Sequence, residues 1–136
     1  MTALTNYTEN NLINHIFRTA SFTKPTTLYI GLITTLTDGE AGTVTEVTGG
    51  SYTRIARNPL DANWAASVTD GTTSNTAVIT FPAATADWGT ATHFGIWDAQ
   101  TNGNLLIYAS LTNPRTITNG TTPSFGAGAL TFQIDN

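Results

Sequence analysis

Residues 91–111 read ATHFGIWDAQTNGNLLIYASL, and this stretch decides the fold. Two apolar runs flank a polar segment that carries asparagine and glycine, which is the pattern of a β-hairpin. The connecting segment, residues 98–104, contains Asn102 and Gly103, and both residue types accept the left-handed backbone conformations of tight turns. We therefore predict two antiparallel strands joined at residues 98–104.

Both arms of this hairpin have apolar side chains on both faces. Side chains alternate across a strand, so His93 and Trp97 share one face of the first arm while Phe94 and Ile96 share the other. The second arm alternates in the same way. Because a strand that is apolar on both faces needs cover on both, we expect this hairpin in the middle of a sheet or in a contact.

Further short strands are predicted on both sides of the hairpin. Threonine is the commonest residue and only 10% of the chain is charged, a composition that favours strands over solvated helices. The prediction is a mainly β protein, an antiparallel β-sandwich of about eight strands in a single domain of residues 1–136. Outside the hairpin, the predicted strands cover residues 28–33, 44–47, 52–57, 64–68, 75–81, 116–118 and 130–134.

The patterns of three of these strands are the most informative. The strand at 28–33 is apolar on both faces and is predicted to be central. In the strand at 75–81, Ala77, Ile79 and Phe81 are predicted to face inward. In the terminal strand at 130–134, Leu130, Phe132 and Ile134 alternate with the remaining residues and share one face.

One helix is predicted, at residues 7–20. Thr8 or Asn6 is the candidate N-cap, and Glu9 lies in the first turn, where the helix dipole favours a negative charge. Apolar residues recur at helical spacing, so we expect one face of the helix to lie against a sheet. These residues are Leu12, Ile13, Ile16 and Phe17.

Residues 34–50 differ from the rest of the chain because they combine four glycines with acidic side chains. We predict a long mobile loop here, with a short edge strand at 44–47. Such a loop can adapt to a partner, and Asp38, Glu40 and Glu46 could meet basic groups on another protein. The aromatic residues Tyr7, Trp64 and Trp88 are further candidate contact residues, although core packing explains most aromatic side chains equally well.

Charge and composition exclude several kinds of partner. The net charge is −4 and no basic run interrupts the chain, which argues against binding to a nucleic-acid backbone. The N-terminus lacks the pattern of a signal peptide, and no apolar stretch reaches the ~20 residues of a membrane span. We expect a protein made in a cytosol that contacts neither nucleic acid nor membrane.

No constellation of residues predicts catalysis, a cofactor or a metal site. There is no cysteine, and the two histidines, His15 and His93, lie in different predicted elements without a nucleophile signature. The remaining candidates are carboxylates in predicted turns, where aspartate is common for its backbone hydrogen bonds. These carboxylates are Asp70, Asp87 and Asp98.

The chain resembles small structural proteins of tailed bacteriophages that are commonly labelled "phage tail fibre protein". The resemblance is carried, in order, by LTNYTENNLINHIF, TLYIGLITT, GGSYTRIA, NTAVITFPAATADWGTATHFGIWDA, GNLLIYASL and FGAGALTFQID, which together span nearly the whole chain. It implies a non-enzymatic virion component, made in the host bacterial cytoplasm, and it carries over no catalytic residues.

Three functions stay open at this point. No long shaft, coiled-coil stem or collagen-like tract is present, so we rank a capsid decoration or cement protein slightly above a tail fibre or receptor-binding component. A carbohydrate-binding module is the third reading. For the virion readings we expect binding to the major capsid protein or to tail components, and a homo-oligomer, with a trimer as the expected state.

Overall fold

The computed structural model describes residues 2–134, and the predicted hairpin forms the middle of its main sheet. The two arms pair antiparallel, with Phe94 opposite Ala109 and Trp97 opposite Leu105. Asn102 and Gly103 have φ angles of 55° and 71°, as the turn chemistry predicted. The hairpin prediction is confirmed.

One helix and ten strands make up the described chain. In chain order they are β1 (Thr2–Leu4), α1 (Asn6–Phe17), β2 (Leu28–Asp38), β3 (Thr43–Glu46), β4 (Ile55–Arg57), β5 (Thr72–Ser74), β6 (Ile79–Thr80), β7 (Gly89–Trp97), β8 (Leu105–Ile117), β9 (Ser124–Phe125) and β10 (Thr131–Gln133). The main sheet has six strands in the order β1-β8-β7-β2-β3, with β4 also paired to β2. Two small sheets, β10-β5 and β6-β9, complete the fold, and every pair is antiparallel.

The principal core lies between the main sheet and the two small sheets. Phe94 of β7 contacts Phe125 of β9 and Phe132 of β10, with ring centroids 5.7 and 5.4 Å apart. A smaller cluster around Ile33 and Trp97 covers the other face of the main sheet. The predicted class, a mainly β antiparallel protein with an N-terminal helix, is confirmed, and the layout is sandwich-like.

The helix differs from its prediction at both ends. It begins at Asn6 and ends at Phe17 instead of spanning 7–20. Its N-cap is Thr5, neither Thr8 nor Asn6, because the buried Thr5 hydroxyl accepts from the backbone N–H of Thr8 and also donates to a β8 carbonyl 2.6 Å away. The tertiary bond to β8 therefore selects which residue caps the helix.

The expectation that the apolar stripe of the helix packs on a sheet is wrong. None of the helix residues is buried, and Ile13, Ile16 and Phe17 are 55%, 59% and 76% exposed. The helix is attached mainly at its first turn, through Thr5 and Thr8 to β8 carbonyls. Because the two small sheets already cover the core face of the main sheet, the helix stays at its edge.

Residues 34–50 form a hairpin where a long loop was predicted. Strand β2 continues to Asp38 and β3 returns from Thr43 to Glu46, so only the predicted strand at 44–47 was nearly correct. The threonines along this segment alternate with Leu36 and Val44, and such β-branched, alternating sequence suits a ladder at a sheet edge. The glycines obscured this pattern in the sequence.

Several predicted strands are shorter than expected, and one predicted inward position is wrong. The segment at 64–68 contributes only a single bridge, from Trp64 to Asn75, and Ala77 is exposed. The side chain of Asn75 is buried instead. Its amide N–H groups donate to the carbonyls of Ala77 and Gly126, and its amide oxygen accepts from the backbone N–H of Leu130 at 2.9 Å, so the segment before β6 is held by side-chain hydrogen bonds.

Candidate interaction surfaces

Three of the six residues predicted to bind a partner come together at one corner of the molecule. Asp38 and Glu40 lie at the exposed tip of the β2–β3 hairpin, and the backbone N–H of Asn6 donates to the carbonyl of Glu40 at 2.8 Å. Tyr7 follows Asn6 at the start of α1 and is 40% exposed. The hairpin tip and the start of the helix are therefore joined. Glu9 lies in the first turn of the same helix, and we name the three carboxylates Glu9, Asp38 and Glu40 the acidic corner.

The acidic corner surrounds Tyr108 of β8. Burial, followed by the carboxylates of Glu40, Asp38 and Glu9, raises the pKa of Tyr108 above its ordinary value. The tip itself is well defined, because Asp38 Oδ1 accepts from a backbone N–H at 3.0 Å and Gly39 packs so tightly on Tyr108 that a Cβ would meet the ring at 2.2 Å. The corner is a fixed concentration of negative charge.

An apolar stripe continues from the acidic corner along the helix. At about 100° per residue, Glu9, Ile13 and Ile16 fall within about 60° of arc, with Phe17 about 40° farther round. The side chains of Ile13, Ile16 and Phe17 are all exposed, and we name these three the helix stripe. One surface thus carries apolar groups at one end and carboxylates at the other.

Glu46, in contrast, belongs to an internal network. Its carboxylate accepts from Nε and Nη2 of Arg54 at 2.9 and 2.7 Å, and from the Tyr52 hydroxyl at 2.7 Å. Burial and the Glu46 carboxylate raise the pKa of Tyr52 above its ordinary value. Arg54 also lies over the Trp97 ring, 4.1 Å from its centroid. Glu46 therefore helps to fix β3 through Arg54, and partner binding by Glu46 stays a prediction.

The two predicted contact tryptophans also pack internally. Trp88 is buried, its indole N–H donates to the carbonyl of Gly50 at 2.8 Å, and its ring contacts Tyr52 at 5.2 Å. Trp64 is half-buried, and its ring contacts Phe132 edge-on at 5.9 Å. Partner binding by these side chains stays a prediction, and any binding has to use the exposed part of Trp64 first.

The folded chain also has a groove of about 360 Å³ that no sequence pattern indicated. It lies between β8 and the segment 121–125, and its only charged lining residue is Arg115. No sequence motif marks it, because its two walls, although close in the chain, form a groove only through the way that β8 and the segment 121–125 pack on the core. Leu111, Thr112 and Asn113 project into it from an irregularity in β8 that alternation of apolar and polar residues does not reveal.

The candidate metal-binding groups are not brought together in the described part of the chain. Within residues 2–134, no three His, Cys, Asp or Glu side chains lie together where they could hold a metal ion. The same residues contain no helix that is both long enough and apolar enough to cross a membrane. The surface features that the structure does present are the acidic corner, the helix stripe and the groove.

Comparison with known proteins places the chain in a family. The family model described as "Podophage GP4 fiber I protein gp80" matches residues 3–133, nearly the whole chain. None of the curated proteins compared with the chain matches it. The match confirms the resemblance to phage tail fibre structural proteins that the sequence motifs indicated. The chain belongs to the podophage GP4 fiber I protein gp80 family, and it is a structural protein of a phage virion.

Proposed function

We propose that the protein is a non-enzymatic subunit of a podophage tail fibre, and that it attaches to another virion protein through the helix stripe and the acidic corner. The main support for this attachment surface is the helix itself. It has twelve residues, none of them is buried, and Ile13, Ile16 and Phe17 are exposed. Isolated helices of this length are marginal in water, so such a helix gains stability when its apolar face is covered.

The chemistry of this surface favours one kind of partner. The exposed apolar side chains are complementary to an apolar surface on the other protein. The adjoining carboxylates of Glu9, Asp38 and Glu40 are complementary to basic groups beside that surface. A specific interface buries about 800 Å² on each partner, more than one short helix face provides. We therefore include the tip of the β2–β3 hairpin in the attachment surface.

The family description supports the fibre role over capsid decoration, which the sequence alone ranked slightly higher. The lack of a shaft in this chain is compatible with a module attached to the tail, because a stem can be supplied by another protein. A carbohydrate-binding role through exposed tryptophans has less support, since Trp88 and Trp97 are buried. A homo-oligomer, as a trimer, remains part of the proposal.

The experiment that tests the location is a reconstruction of whole particles that contain the subunit, compared with particles from a phage that lacks it. We expect the difference density at the tail, with three copies of the subunit in contact around each fibre axis. Difference density confined to regular positions on the capsid lattice would overturn the fibre role in favour of decoration. Tail density in which no copy touches another would refute the trimer.

A further inference from the structure

The groove beside β8 is built from two fixed walls. On one side, His93 pairs with Ser110 and Ala91 pairs with Arg115, so four residues of β8, 111–114, stand opposite the single residue Thr92 of β7. This bulge interrupts the regular ladder, and its residues Leu111, Thr112 and Asn113 line the groove. Bulges are a common way for a sheet to aim side chains at a site.

The opposite wall is the segment 121–125. Its backbone is held by the N–H groups of Phe81 and Ala84, which donate to the carbonyls of Pro123 and Thr121 at 2.9 and 2.8 Å. Strand β9, at the end of the segment, pairs with β6. The groove between the walls has a volume of about 360 Å³, within the range of about 300–1,000 Å³ that is usual for small-molecule sites.

The lining combines an apolar floor with a polar rim. Aromatic and aliphatic side chains of the core, among them Phe94 and Phe125, form the apolar part. The rim carries hydroxyl, amide and guanidinium groups, and within residues 2–134 none of these side-chain groups makes a hydrogen bond or an ion pair. The rim residues are Ser110, Thr112, Asn113, Arg115, Thr122 and Ser124.

These unpaired groups define what the groove can bind. Hydroxyl and amide groups both donate and accept, so they suit a ligand with many hydroxyls, while an apolar floor suits the C–H face of a sugar ring. Arg115 is the only charged lining residue, and no carboxylate lines the groove although the chain has a net charge of −4. A guanidinium fork matches a carboxylate in two parallel hydrogen bonds.

We propose that the groove between the β8 bulge and the segment 121–125 binds a carboxylate-bearing sugar residue of the uronic-acid class, with Arg115 on the carboxylate and the rim hydroxyls on the ring. This inference is independent of whether the subunit sits on the tail or on the capsid. The ligand class follows from the charge and hydrogen-bonding capacity of the lining alone.

Titration of the full-length protein with glucuronate and with glucose tests the proposal, because the two sugars differ only at C6, which is a carboxylate in glucuronate and a hydroxymethyl group in glucose. The readout is the backbone amide NMR shifts of residues 110–115 and 121–125. We expect glucuronate to shift these amides and to bind at least about tenfold more tightly than glucose, since hydrogen bonds between charged groups are about twice as strong as neutral ones. Acetate, which has the charge without the ring, should leave them unshifted.

Two charge-neutralising variants separate the groove from general electrostatics. Arg115→Gln should weaken glucuronate binding at least about tenfold and bring it close to glucose. Arg18→Gln, which removes the same charge from an exposed position at the end of the helix, should bind glucuronate as the parent does. Thermal unfolding of both variants should match the parent, because neither side chain has a partner within residues 2–134.

Three results would overturn the proposal. Equal affinity for glucose and glucuronate would show that Arg115 does not recognise the carboxylate. Acetate shifts equal to those of glucuronate would show a simple anion site. An absence of shifts with glucuronate at millimolar concentrations would show that the groove binds no uronic acid, and would leave a segment of another virion protein as its occupant.

Discussion

Arg54 and Glu46 form a bidentate ion pair inside the protein, with Nε 2.9 Å from Oε1 and Nη2 2.7 Å from Oε2. The remaining Arg54 nitrogen, Nη1, donates to the carbonyls of Ala99 and Asn102 at 2.7 and 2.8 Å. One side chain therefore ties β3 to the turn of the central hairpin. Glu46, which the sequence suggested as a docking residue, is part of the scaffold.

Arg54→Met should destabilise the fold because it leaves the Glu46 carboxylate without its cation and frees the turn carbonyls. We expect a loss of about 3 kcal/mol in the free energy of unfolding. This value is at the lower end of the range for a broken buried ion pair, because Glu46 keeps some contact with solvent. Urea unfolding measures this loss. Arg18→Met is the control, and a similar stability for both variants would contradict the role of the pair.

Phe132→Ala should cost about 3–5 kcal/mol, as large aromatic deletions from cores do. Phe132 is buried and its ring contacts Phe94 and Trp64. Ile134→Ala is the matched control, because Ile134 lies two residues along and is 59% exposed, so we expect a change within about 0.5 kcal/mol. A loss below about 1 kcal/mol for Phe132→Ala would place this residue outside the core.

The double substitution Ile16→Asp and Phe17→Ser should reduce incorporation into particles without lowering thermal stability. Both side chains are exposed, so the folded subunit loses no core contact, whereas the proposed interface loses its apolar centre. Quantitative immunoblots of purified particles measure incorporation. Val68→Asp is the control. Val68 is 85% exposed and lies outside the helix stripe, so this variant should be incorporated normally. Equal incorporation of all variants would exclude the helix stripe as a contact.

Two charge reversals distinguish an attachment residue from a structural one. Glu40→Lys should weaken attachment to particles and leave the melting temperature unchanged, because Glu40 is exposed at the acidic corner. Glu46→Lys should lower the melting temperature, since it places a second cation beside Arg54. Incorporation and thermal unfolding, measured on the same preparations, test both. Normal incorporation of Glu40→Lys would remove the acidic corner from the interface.

Stability should fall as the pH drops through the titration of His93. Burial lowers the pKa of this imidazole below its ordinary value of 6.5, so in that window the unfolded chain binds more protons than the folded one. The free energy of unfolding then rises with pH. The stability that the neutral His93 contributes is fully present above about pH 6.5, and it is lost as the pH falls through the lowered pKa of the folded protein. Melting temperatures between about pH 7.5 and pH 5 check this. His93→Gln should flatten the slope, and an unchanged slope would assign it to other groups.

The sequence by itself determined the elements whose signals are local. The hairpin of β7 and β8 could be predicted because its apolar alternation and its Asn102-Gly103 turn lie within one stretch of 21 residues, 91–111. The central position of β2 followed from its apolar residues on both faces, and the family followed from motifs along the whole chain. These features need no information about which distant segments meet.

Only the tertiary structure decided the positions that depend on distant partners. Thr5 caps the helix because a β8 carbonyl 100 residues away accepts its hydroxyl. Glu46 is half-buried because it pairs with Arg54, whose guanidinium also donates to the carbonyls of Ala99 and Asn102 in the distant hairpin turn. Ile16 is exposed because the small sheets occupy the face that the helix was expected to cover. The groove at Arg115 depends on the bonds that the distant residues Phe81 and Ala84 make to the segment 121–125, which position this wall beside β8. Periodicity records which face of an element is apolar, but it does not record which surface covers that face.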